Sequence, residues 1–184
     1  QSKLHTNCGF WGGIVPGNYP VASPSLLLRN NGKGAFENVT KNICPELENP
    51  GLVKTALWTD FENDGWPDLI VGGEWMPLIF FRNDHGRLIR IKNNPALDNL
   101  TGWWFSIASG AFDKDGDTDY MAGNLGLNNK FNVSPQTPLS VYAKDFDGNG
   151  VSEPILTYFI NGTEYPVAGR DDIASVMPSI KKQF

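Results

Sequence analysis

The chain has 184 residues, 40% of them hydrophobic, with a formal net charge of −5 and a pI near 4.9. An acidic chain lacks the basic face that nucleic-acid phosphate demands, which argues against a nucleic-acid partner. No apolar run reaches the roughly 20 residues a helix needs to span a bilayer, so a transmembrane helix is not expected.

Twenty glycines, thirteen prolines and 12% aromatics point to many short strands joined by turns, in a chain long enough to bury a core. The first ten residues contain no long apolar stretch, so any export signal lies upstream and has been trimmed, or there is none. Cys8 and Cys44 are the only cysteines; the plain expectation is two separate buried thiols, with a disulfide as the less favoured alternative because spacing alone does not fix geometry. A short run ending at Gly12-Gly13 is followed by Leu26-Leu-Leu-Arg29-Asn30-Asn31-Gly32, an apolar strand, a polar turn and then a second strand near Phe36.

Next comes Asp60-Phe-Glu62-Asn-Asp64-Gly65-Trp66-Pro-Asp68, with carboxylates at positions 1, 3, 5 and 9 and glycine at position 6. Glycine tolerates backbone angles that let such a loop curl round one point. Convergent hard oxygens of this kind suit Ca²⁺, which takes 6–8 of them from flexible loops. A strand ending at Gly72-Gly73 follows, then a second hairpin from Ile79 through Arg82-Asn83 to Leu88. The pattern returns at Ala111-Phe-Asp113-Lys-Asp115-Gly116-Asp117-Thr-Asp119, before the short strand Tyr120–Gly123, and again at Asp145-Phe-Asp147-Gly-Asn149-Gly150-Val151-Ser-Glu153, before Pro154–Phe159. Asn161-Gly162 is a hairpin turn leading into Thr163–Val167. The tail is not strand-like, and residues 171–184 are expected to form a short helix or linker.

An EF-hand would place a bidentate Glu at position 12, on a helix. Counting from Asp60 that position is Val71, and from Asp145 it is Leu156, so the EF-hand is set aside. The ligands expected at the first loop are Asp60, Glu62, Asp64 and Asp68, with the Trp66 carbonyl at position 7. Glu62 is longer than the usual Asp or Asn and is expected to reach through water. The second loop has Ala111 where a ligand would stand, leaving Asp113, Asp115 and Asp119 with the carbonyl of Asp117, and is expected to be the weaker site. The third offers Asp145, Asp147, Asn149 and Glu153 with the Val151 carbonyl. Asp, Asn and Gly also dominate ordinary turns. Three loops in one register, each before a strand, favour the cation, which would cross-link the loop and add its binding energy to folding.

The repeating unit is a strand, an acidic loop, a strand ending in glycine, a connection and a hairpin. Four strands per unit is the pattern of a propeller blade. The three loops resemble the FG-GAP/VCBS repeat, the calcium-loop blade of integrin α-subunit propellers and of many secreted bacterial proteins. The segments Gly12–Pro20 and Gly102–Gly110 resemble a narrower set, bacterial VCBS proteins that often carry an ASPIC-type C-terminal domain. The resemblance implies an all-β fold of four-stranded antiparallel blades and an extracytoplasmic setting. About three to four blades fit into the chain, as a single region with units near 1–50, 51–101, 102–138 and 139–170. The first unit lacks an acidic loop and is expected to begin mid-blade, so either the chain is an excerpt of a longer protein or it closes in an unusual way.

Catalytic motifs are absent: no Gly-x-Ser-x-Gly, no phosphate-binding loop and no His-Glu-x-x-His occur, and His5 and His85 lack a neighbouring nucleophile motif. Trp75, Trp103 and Trp104 are candidates for a stacking surface, against the plainer expectation that Trp58, Trp103 and Trp104 pack between blades. The expected function is a non-enzymatic, calcium-stabilised module, secreted, periplasmic or outer-membrane-associated, that binds a protein or carbohydrate ligand. The alternative is the non-catalytic scaffold of a carbohydrate-active enzyme.

Overall fold

The computed structural model describes residues 22–126 and 130–182, which fall into two compact units divided between those segments. Cys8, His5 and the Gly12–Pro20 segment lie outside the described residues. Most regular structure is antiparallel strand, and no sheet among the described residues is closed.

The larger unit opens with the expected hairpin, β1 (Leu28–Asn30) and β2 (Phe36–Asn38). Its turn is held by local side chains: Asn30 accepts from the Gly32 amide and Asn31 from the Lys33 amide, each at 2.8 Å. A helical turn, α1 (Thr40–Ile43), follows. The Thr40 hydroxyl, 1% exposed, donates to Asn38 and accepts from the Leu27 amide, fastening the hairpin to this turn.

Four strands then run as an antiparallel meander: β3 (Leu52–Thr59), β4 (Asp68–Met76), β5 (Ile79–Asp84) and β6 (Arg87–Arg90). The second expected hairpin is β5–β6, with Asp84 opposite Arg87. β4 is buried on both faces from Asp68 to Gly73, as a continuous apolar run between covered faces should be. Leu69, Val71, Met76, Ile79, Phe81 and Leu88 form one buried core cluster together with Cys44 and Leu47. Cys44 is a free thiol whose pKa burial raises to about 11, so it packs as a small hydrophobe.

Gly73 stands where β3 passes closest: a Cβ there would lie 1.9 Å from the Leu52 carbonyl oxygen. The Gly72-Gly73 pair does not end the strand, however. β4 continues through a bulge between Glu74 and Met76, with Trp75 at φ 59, and its last residues pair with β7 (Gly102–Gly110). A short helix, α2 (Pro95–Asp98), capped by the Asn94 side chain, links β6 to β7, and β8 (Asp119–Asn124) completes the six-stranded sheet. Trp103 and Trp104 are buried, and Trp75 meets the edge of Trp103 with centroids 4.9 Å apart. Trp103 and Trp104 are therefore packed in the fold, whereas Trp75 is only partly buried and Trp58 is exposed.

The smaller unit holds β9 (Ser140–Lys144), β10 (Glu153–Ile160) and β11 (Thr163–Pro166), ordered β11-β10-β9. Asn161 and Gly162 both take positive φ, 49° and 81°, which fits the Asn-Gly hairpin turn. Helix α3 (Arg170–Val176) follows and begins ahead of the region assigned from sequence. It buries Ala174, and Met177 just beyond its end is fully buried.

Candidate metal centre

Each acidic loop is the connection of an antiparallel strand pair: β3–β4, β7–β8 and β9–β10. The frame is the same in all three. The closing carboxylate pairs across the sheet with the residue just before position 1, as Thr59 with Asp68, Gly110 with Asp119 and Lys144 with Glu153. Position 4 lies in left-handed space in every loop, at Asn63 (φ 55), Lys114 (φ 67) and Gly148 (φ 78). So does position 6, at Gly65 (φ 87), Gly116 (φ 101) and Gly150 (φ 85), where glycine avoids the steric cost.

A phenylalanine occupies position 2 throughout. Its amide donates to the closing carboxylate: Phe61 to Asp68 at 3.0 Å, Phe112 to Asp119 at 2.7 Å and Phe146 to Glu153 at 2.9 Å. This bond closes the loop and was not expected from the ligand pattern, which treated position 9 as a cation ligand alone. The recurrence of Phe one residue after position 1 was the available signal, although the bond uses its backbone.

In the first loop, Asp60 accepts from the amides of Asp64 (3.1 Å) and Gly65 (2.8 Å), and Asp64 accepts from the Trp66 amide at 2.8 Å. Glu62 lies 3.9 Å from the Arg82 guanidinium. Trp66 is exposed, with its ring edge-to-face against His85 at 5.3 Å. Asp68 is wholly buried. In the second loop Asp113 accepts from the Asp115 amide and Asp115 from the Asp117 amide, at 3.1 and 3.2 Å. The Asp117 amide holds the Asp115 carboxyl below the usual carboxylate range, while the hydrogen bond to Asp115 and its charge push Asp117 up.

In the third loop Asp145 accepts from the amides of Gly148, Asn149 and Gly150, which draws its pKa down, Gly150 contributing most. Asp147 accepts from the Asn149 amide, and Asn149 from the amide of Val151, which is exposed. Glu153 is 1% exposed. Ligand atoms of Asp145, Asp147 and Glu153 all lie within 4.8 Å of one another, the one such group of three among the described residues. Oxygens bound to one Ca²⁺ at 2.3–2.6 Å stand at most about 4.6–5.2 Å apart, so this trio fits around a single ion. The acids of the other two loops are not gathered in this way among the described residues.

Paired strands, acidic connections and a shared register define a repeat protein of antiparallel β-units. Residues 60–122, from the first aspartate of the first loop into β8, match the FG-GAP-like repeat. This segment is therefore an FG-GAP-like repeat region, as the loop pattern implied. Neither the curated proteins nor the solved structures contain a match.

Proposed function

We propose that the chain is a calcium-stabilised part of an extracytoplasmic β-propeller that serves as a binding module for a protein or carbohydrate. The FG-GAP-like repeat supports a propeller-type binding module, since such repeats are typically non-catalytic. The observation that carries the calcium reading is the convergence of Asp145, Asp147 and Glu153. Three carboxylates at that separation repel one another without a counter-charge, and a cation between them converts the repulsion into loop closure.

Asp145, Asp147 and Glu153 would hold the ion, with Asn149 and the Val151 carbonyl in positions to complete its shell. The ion supplies charge neutralisation and a rigid link across β9–β10. Millimolar external Ca²⁺ fills even weak sites of this kind, which favours a location outside the cytoplasm.

The test is a thermal melt of the full chain with Ca²⁺ and with excess EDTA. Chelation is expected to lower the melting temperature by several degrees, and Asp147→Ala to reproduce part of that loss. A melt unchanged by chelator counts against the proposal.

A further inference from the structure

We infer that Asp68 and Asn83 form a latch that holds the first acidic loop without a cation, so that Asp68 is a positioning residue rather than an ion ligand. Asp68 is 0% exposed, and each of its oxygens already receives a backbone amide. Oδ2 accepts from Phe61 at 3.0 Å, within the loop, and Oδ1 accepts from Asn83 at 2.7 Å, from the end of β5. Hydrogen bonds to an ionised carboxylate are among the stronger ones in a protein, and burial protects them from competing water.

Asn83 completes the device. Its Nδ2 donates to the Pro67 carbonyl at 2.7 Å, and its Oδ1 accepts from the Gly86 amide at 2.7 Å. One buried amide side chain thus grips the end of the acidic loop and the β5–β6 turn together. Two outer contacts join the same pair of segments, the Glu62–Arg82 ion pair at 3.9 Å and the Trp66–His85 ring contact. The loop is therefore anchored to its neighbouring hairpin by protein groups alone. At the third loop the ion is instead assigned a link across the loop's own flanking strands, β9 and β10.

The comparison with the third loop rests on the calcium reading, but the latch itself does not. The experiment is a set of thermal melts on the full chain, wild type, Asp68→Asn, Asn83→Ala and Asp147→Asn, each with Ca²⁺ and with EDTA. Calorimetric Ca²⁺ titrations of the same proteins accompany them. Asp68→Asn turns an amide group toward one of the two backbone donors, and is expected to lower the melting temperature equally in both conditions while leaving Ca²⁺ stoichiometry unchanged. Asp147→Asn is expected to lower it only with Ca²⁺ present. A deficit in Asp68→Asn that vanishes in EDTA, together with loss of a Ca²⁺ equivalent, would overturn the latch. Should Asp68→Asn fail to fold, Asn83→Ala keeps every carboxylate and still cuts the grip. Its melting temperature is expected to fall by the same amount with and without Ca²⁺, and an unchanged one overturns the inference. A wild-type melt indifferent to EDTA would instead sink the calcium reading and leave the latch standing.

Discussion

The Thr59 and Tyr120 hydroxyls lie 2.7 Å apart, joining the strand that enters the first acidic loop to the strand that leaves the second. Sixty-one positions separate them in sequence. The bond is half-buried and links two successive strand pairs at the end of the sheet that carries the loops. The loops of the larger unit are therefore neighbours through a specific contact.

Removing that contact should be measurable. Tyr120→Phe keeps the ring and deletes the hydroxyl, and is expected to cost about 0.5–1.5 kcal/mol. Thr59→Val should cost a similar amount, and the double variant less than the sum, because the second change has no partner left to remove. Urea denaturation of the four proteins checks this, and strict additivity would speak against a direct bond.

A second expectation concerns the paired glycines. Gly73→Ala places a Cβ 1.9 Å from the Leu52 carbonyl, a contact that requires β3 to move away from β4. Soluble yield and melting temperature should both fall sharply. Gly32→Ala meets nothing within 4 Å and has only its φ of +74° to bear, so it should cost about 1–2 kcal/mol. Equal effects at the two positions would contradict the packing described for β4.

Asp117 of the second loop and Asp145 of the third should respond oppositely to pH when the protein is stripped of cations. Backbone amides, the Gly150 amide first, depress the folded pKa of Asp145 below its ordinary 3.8. Such a group stabilises the fold above 3.8 and loses that contribution as pH falls through the lower folded value. Asp117 is raised by its hydrogen bond to Asp115 and by the adjacent charge, so its contribution is present below 3.8 and lost as pH rises through its folded value. At neutral pH without cation, Asp117→Asn should therefore raise the melting temperature and Asp145→Asn lower it. Both differences should shrink in strong acid, as the carboxyls protonate. Melts of the two variants in EDTA across that range provide the check.

Much of this arrangement was legible before the structure. The acidic spacing around glycine placed all three loops, and the Arg-Asn turns located both hairpins of the larger unit. The strands after the loops also fell where the apolar runs began. What could not be read was which groups the acids face. Asp68 and Glu153 both close a loop, yet Asp68 meets the Asn83 amide from a hairpin distant in sequence, whereas Glu153 is grouped with Asp145 and Asp147. Glu62 sits at a ligand position by spacing but lies beside Arg82. Those differences arise from strand pairing across 15 or more residues, which no local pattern encodes. The end of β4 was misplaced for a related reason. Glycine usually weakens a strand interior, but here the Gly72-Gly73 pair admits close neighbours, and the chain continues through a bulge at Trp75.

The most direct measurement is calorimetric titration of chelator-stripped protein with Ca²⁺, run beside Asp147→Ala. If an ion is gripped between Asp145, Asp147 and Glu153, the wild type should show saturable binding and the variant should lose that transition. No binding in the wild type, or an unaltered isotherm in the variant, would contradict a calcium-stabilised module.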